Sequence, residues 1–144
     1  MTIPTTGTSA AAQNFNWLVN RFARDTADVD VVIAVSSDGL LIGMSSDLDR
    51  AVADRLAAIT SAVLSLAHGV SESYPLGAPD KVVIELSHGF MLVCTISAGC
   101  ALGVLASSQA SLGTIAYEMA VFANRASEVL SPTLIDELRY SVGY

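Results

Sequence analysis

The run LSHGFMLVCTISAGCALGVLASS, residues 86–108, decides the fold. It opens a span of 32 positions, Leu86 to Tyr117, without one Asp, Glu, Lys or Arg. The 19 residues from Phe90 to Ser108 are long enough to cross a bilayer as a helix. Three features argue against that reading. Ser97-Ala98-Gly99 interrupts the middle, the flanks carry no basic bias, and His88-Gly89 and Ala98-Gly99 are two-residue turn signals that divide the region into three short strands. With those turns Ile84 pairs with Val93, and Val93 with Val104. One face of the meander then collects Val82, Ile84, Leu86, Met91, Val93, Leu102, Val104 and Ala106. The opposite face carries Val83, Phe90, Leu92, Cys94, Ile96 and Leu105. Both faces need cover, and a three-layer helix/sheet/helix sandwich, an α/β (α+β) fold, supplies it.

Upstream of the meander, Val52, Leu56, Ile59, Val63, Leu66 and Val70 recur at spacings of four and three, a helical seam between Asp49 and about Tyr74. Asp47 or Asp49 is placed to cap it. The other sides carry Ala51, Ala53, Ala57, Ala58, Ser61, Ala62, Ser65 and Ala67, so this helix has no ordinary solvent face. The seam is expected on the sheet, and the small side against another helix at close range. Earlier still, Val29, Val31, Ile33 and Val35 alternate along a strand, and Asp38-Gly39 reads as a hairpin turn pairing Ser37 with Leu40, Val35 with Ile42 and Ile33 with Met44. Phe15, Leu18, Val19 and Phe22 mark a first helix, with Asn14 or Asn16 as its cap. Tyr74–Asp80 is a loop. Leu112, Ile115, Met119, Phe122, Ala126 and Leu130 mark a third helix beginning at Ser108 or Ser111, and Ser131-Pro132 opens a short last one through about Tyr140. The expected organisation is a flexible tail at 1–13, one domain at 14–139 and a short tail at 140–144.

In 144 residues, 52% are hydrophobic and 15% charged, against about 25% charged in ordinary soluble domains. The net charge of −7 argues against nucleic acid or an anionic membrane surface as a partner. No basic segment precedes an apolar one at the N-terminus, and the two cysteines are expected as free thiols, which together point to the cytoplasm. Phosphate loops, dinucleotide fingerprints and zinc spacings are absent from the sequence, so no cofactor or metal is expected. His68 and His88 have no reason to converge. The Ala98-Gly99 turn sets Cys94 against Gly103 and Ser97 against Cys100, so the thiols are expected as small buried hydrophobes. Asp25, Asp28, Asp30, Asp47 and Asp49 sit at element ends, where capping and solvation explain them, as do Asp136 and Glu137 in the first turns of the last helix. The chain is not expected to be an enzyme.

Several stretches carry a family resemblance: Phe15-Asn16-Trp17-Leu18, Ser36-Ser37-Asp38-Gly39-Leu40, Leu56-Ala57-Ala58-Ile59, Val82-Val83-Ile84-Glu85, Gly99 to Ala106, and Gly113-Thr114-Ile115-Ala116-Tyr117-Glu118-Met119. Together they resemble the bacterial roadblock (dynein light chain) family, most closely the roadblock proteins of conservon cassettes, which also encode a sensor-kinase-like protein and a Ras-like GTPase. The resemblance implies a five-stranded antiparallel sheet in the order 2-1-5-4-3, with the long second helix on one face and the terminal helices on the other. It also implies a homodimer through the second helix and third strand, and a role as regulator or scaffold of a Ras-like GTPase. The residues expected at the dimer contact are Ala51, Arg55, Ala58, Ala62, Ser65, Lys81, Val83 and Glu85. If Val82–Leu86 pairs with its own copy about Val83, Lys81 of one chain faces Glu85 of the other. Arg50, Asp54 and Arg55 are the expected GTPase contacts. Two rival readings are a small-molecule sensory domain and a structural adaptor joining a sensor kinase to its effectors.

Overall fold

The computed structural model describes residues 9–45, 48–97 and 99–142. Its elements are α1 (Ala10–Asp25), β1 (Val29–Val35), β2 (Leu41–Met44), α2 (Arg50–Ser73), β3 (Lys81–Leu86), β4 (Gly89–Thr95), β5 (Ala101–Ser107), α3 (Leu112–Ser127) and α4 (Pro132–Ser141). The strands form one antiparallel sheet in the order β2-β1-β5-β4-β3. α2 packs on one face, while α1, α3 and α4 enclose the larger core on the other, where Phe122 meets the rings of Phe15 and Phe22 edge-on at 6.0 and 6.1 Å. The charge-free run is therefore two strands and their hairpin, covered on both sides. The only described helix long and apolar enough to cross a membrane is α2.

Side-chain oxygens start the four helices. Ser9, Asp49, Ser111 and Ser131 each accept from a backbone N–H three residues on, satisfying a donor that the helix itself leaves free. Ser9 takes the role expected of Asn14 or Asn16. Ala10, Ala11 and Ala12 are strong helix formers and Ala12 is fully buried, so α1 absorbs residues 10–13 of the expected tail. Residues 1–8 of that tail, and Asp47, lie outside the described residues. At the other end α4 runs through Ser141.

Hairpin chemistry corrects the expected registers. Gly39 and Gly99 have φ of +84° and +79°, and each closes a three-residue loop rather than following a two-residue turn. In the first hairpin Ser36 N–H donates to the Leu40 carbonyl and Gly39 N–H to the Ser36 carbonyl. Ile33 still faces Met44, but Val35 faces Leu41, and a bulge sends Ile42 into the α1 side of the sheet. In the last hairpin Ile96 N–H donates to the Cys100 carbonyl, so Cys94 faces Leu102 and Val93 faces Gly103. That one-residue slip turns the whole apolar set of β5 over. Leu102, Val104 and Ala106 face α1, α3 and α4, and Leu105 faces α2. Between β3 and β4 the turn is Ser87-His88, so Ile84 faces Met91. This slip is by two positions and leaves the faces as expected.

The first hairpin also holds a carboxylate whose acidity is shifted. Ser36 Oγ donates to the Asp38 carboxylate, and Arg139 Nη2 of α4 lies 3.4 Å from the same oxygen. The Ser36 hydrogen bond, with help from Arg139, holds the Asp38 carboxyl below its usual value. A depressed pKa means that the folded state resists protonation more than the unfolded one. The contribution is present above the unfolded pKa of about 4, and it is lost as pH falls through the lower folded value. Asp38→Asn is expected to lower the melting temperature at pH 7 and to converge on the parent near pH 2. Melts that differ equally at both values would reject the assignment.

Candidate interaction surface

The surface begins with the way α2 sits on the sheet. Its buried positions are Ala53, Ala57, Thr60 and Leu64, not the large apolar seam expected there. The strands beneath already present Ile33, Val35, Leu41, Met91 and Val93. A helix over so tall a floor fits closely only with small side chains pointing down. At the closest point Thr60 stands over Gly103, where a Cβ would lie 2.6 Å from Thr60 Oγ1 and 3.2 Å from Ile33 Cγ1.

The seam is displaced to the flank and outward. Leu56 and Val63 remain partly buried against the clusters below. Val52 is 40% exposed, Ile59 41%, Val70 54% and Leu66 74%. Tyr74 and Leu76 in the following loop, then Val83 and Leu86 on β3, continue the series. Eight of the eleven exposed large hydrophobic side chains among the described residues thus belong to α2, its loop and β3. Scattered exposed apolar groups are normal, but such a concentration marks an interface.

The residues expected at a dimer contact are all exposed. Ala51, Arg55, Ala58, Ala62 and Ser65 occupy the side of α2 facing away from the sheet, roughly a quarter turn from the apolar flank. Lys81, Val83 and Glu85 share one side of β3, whose outer edge has no neighbouring strand among the described residues. The sequence reading missed Leu66, Val70, Tyr74, Leu76 and Leu86. A signal for them existed in Tyr74 and Leu76, large apolar side chains in a loop that has no core to fill.

Arg50, Asp54 and Arg55 do not form one cluster. Arg50 Nε donates to Asp54 at 3.0 Å and its Nη1 to the Val142 carbonyl, so this arginine is engaged within the chain. Arg55 lies on the outward side of α2, at the boundary between Ala51 and Ala62 and the apolar flank of Ile59 and Leu66.

Reactive chemistry finds little purchase. Cys94 and Cys100 are buried and unbonded. Burial, reinforced by Asp80, pushes the Cys94 thiol up to about 11, and burial also raises Cys100, so neither forms a thiolate at neutral pH. No group of three or more His, Cys, Asp or Glu among the described residues is arranged to hold a metal ion. His68 and His88 are both exposed, one on α2 and one in a turn. Among the described residues, the carboxylates, amine and imidazole that line the hollows at α1/α3, β4/α3 and the middle of α2 are not buried.

An antiparallel sheet with one long helix across it and an exposed apolar helix and strand edge defines a small interaction domain. The profile of the Roadblock/LC7 domain family matches residues 15–106, and the chain belongs to that family. Among solved structures, a Roadblock/LC7 domain from Streptomyces avermitilis is 28% identical, with a TM-score of 0.75, covering 78% of this chain and 94% of that one. MglB of Myxococcus xanthus is similar in fold at 17% identity and TM-score 0.74, covering 81% and 94%. An MglB described as having a tetrameric arrangement is similar at 12% identity and TM-score 0.75, covering 90% and 93%. No curated protein sequence gives a significant match.

Proposed function

We propose that this chain is a non-catalytic, homodimeric regulator or scaffold of a Ras-like small GTPase in the bacterial cytoplasm, with a sensor-kinase-like protein as a further partner. The observation that carries the reading is the apolar face running from α2 through its loop to β3. A second copy is its natural cover, because β3 is self-complementary. Antiparallel pairing about Val83 places Lys81 opposite Glu85 twice. The tetrameric arrangement named for one structural relative is consistent with self-association in this fold. The GTPase role rests on the sequence resemblance to the roadblock family.

In such a dimer Arg55 and Asp54, at the N-terminal end of α2, are the charged groups offered to the GTPase. Arg50 and Asp54 hold each other, and Arg50 is also bound to the Val142 carbonyl. An arginine inserted into a GTPase site accelerates hydrolysis by roughly 10³ to 10⁵. Arg55 is expected instead to act in binding. Titration of the Ras-like GTPase, in its GDP and GTP forms, should show Arg55→Glu and Asp54→Lys weakening association about tenfold, with Arg55→Ala leaving the hydrolysis rate of the saturated complex nearly unchanged. Undiminished binding by both charge reversals would discard the surface, and a hydrolysis rate collapsing with Arg55→Ala would make Arg55 a catalytic group.

A further inference from the structure

We propose that the apolar hollow at the turn between β3 and β4 is filled, in the dimer, by Leu76 of the second copy. This rests on the dimer argued above and states where the loop after α2 goes. The hollow measures about 350 Å³ and is lined by Leu86, Phe90, Leu105, Ala106 and the Ser87-His88-Gly89 turn. No Asp, Glu, Lys or Arg stands among its described lining residues, so it suits an apolar group. Leu76 is such a group. It is exposed on its loop and belongs to none of the clusters that form the core.

The path of α2 carries that loop to the second copy. Ala57 packs among Ile33, Val35 and Leu41 of β1 and β2, Thr60 stands over Gly103 of β5, and Leu64 packs with Met91 and Val93 of β4. Among the described strands only β3 lies beyond β4, one strand spacing of about 4.8 Å. Yet nine residues of α2 follow Leu64, a rise of about 13 Å, and none of them is buried. The helix therefore runs past the edge of its own sheet. Ser61, Ser65, His68 and Glu72 face the hairpin loops at Ser37 and Gly99, so the apolar flank of Ile59, Leu66 and Val70 faces the opposite strand ends, where Leu86 and Leu105 lie. A two-fold axis at Val83 sets the two apolar flanks against each other, and each α2 end then lies over the other copy's hollow. Register agrees. Pairing that sets Val83 on itself sets Asp80 of one copy opposite Leu86 of the other, so the incoming loop reaches the rim of the hollow, and Gly77, with φ of +87°, turns it there. The exchange occurs twice, and neither hollow is complete in a single chain.

The contact is tested by cross-linking between copies. Leu76→Cys protein is mixed with His88→Cys protein, at a concentration where both sediment as dimers, and treated with a short bismaleimide. Cys94 and Cys100 are buried, so the parent should not react. The mixture should give a covalent species of twice the chain mass. Each variant alone should not, because the two copies of either cysteine lie at opposite ends of the β3 seam. Leu76→Ser should weaken the dimer about a hundredfold, since the side chain is lost from both hollows, while Tyr117→Ser, at an exposed site on α3, should leave it unchanged. Both should keep the parent's circular dichroism. A monomeric parent would overturn the dimer and this contact together. A dimeric parent whose mixed variants fail to cross-link, or whose Leu76→Ser form dimerises as tightly, would keep the dimer and overturn the contact, leaving the hollow to another apolar occupant.

Discussion

Leu66→Asp is expected to leave the protomer folded and to separate the two copies of the proposed dimer. Leu66 is 74% exposed in the single chain, so it contributes little to the protomer's own core. In a two-fold contact it is buried twice. Burying a leucine contributes about 1.5–3 kcal/mol, so losing two copies amounts to about 4 kcal/mol, or a dimer weaker by roughly a thousandfold. Sedimentation at low micromolar concentration should show the parent at twice 15.0 kDa and the variant at the protomer mass, with matching circular dichroism. Glu85→Lys should weaken the dimer less, because an edge ion pair is partly solvated, and adding Lys81→Glu should restore it. A parent that sediments as a monomer would remove the basis of the dimer. A parent that floats with lipid vesicles would assign the apolar face of α2 to a membrane.

The second large effect is internal. Gly103→Ala puts a methyl group 2.6 Å from Thr60 Oγ1, 3.3 Å from Thr60 Cγ2 and 3.2 Å from Ile33 Cγ1. β5 is the central strand and α2 lies across it, so Thr60 cannot retreat without lifting the helix, and Ile33 of β1 is itself buried. Overpacking of this kind costs about 2–3 kcal/mol, a fall of roughly 10 °C in melting temperature for a chain of this length. Thr60 gives a control, because its buried hydroxyl has no hydrogen-bond partner among the described atoms. Thr60→Ala alone should be mild, since no bond is lost. In combination it should recover about half of the Gly103→Ala loss, a coupling that marks direct contact. Strictly additive effects would mean that the close approach of α2 to β5 is not what the glycine serves.

The two predictions also show where sequence reasoning held and where it stopped. Apolar periodicity placed three of the helices, and periodicity with turn and cap signals placed the five strands and the last helix, because each of these is a local property of the chain. Ser131-Pro132 and Asp49 marked helix starts for the same reason. Register was beyond that reach: Asp38-Gly39 and Ala98-Gly99 look like two-residue turns, but each glycine instead closes a three-residue loop, and one added residue inverted the faces of β5. The orientation of α2 was also hidden. A rule that sends the largest side chains inward cannot know that the sheet has already filled the space beneath, and only the facing Gly103 and the small Ala53, Ala57 and Thr60 disclose it. The candidate surface was legible as far as its helix and strand, while its strongest members, Leu66 and Val70, were assigned to the core.

The ends of the sheet are unlike one another. α4 lies against β2, packs Val142 into the α2 side of the core and has its last turn held by Arg50, whereas among the described residues β3 meets no strand on its far side. A sheet open at both ends could recruit copy after copy and grow into a fibre. With one end occupied by its own helix, each chain has a single strand edge to offer. When two such edges meet, neither copy retains another, and strand addition terminates at ten strands. Larger complexes would then be made through helices, and the ten residues of α4 would be what keeps chain growth by backbone pairing in check.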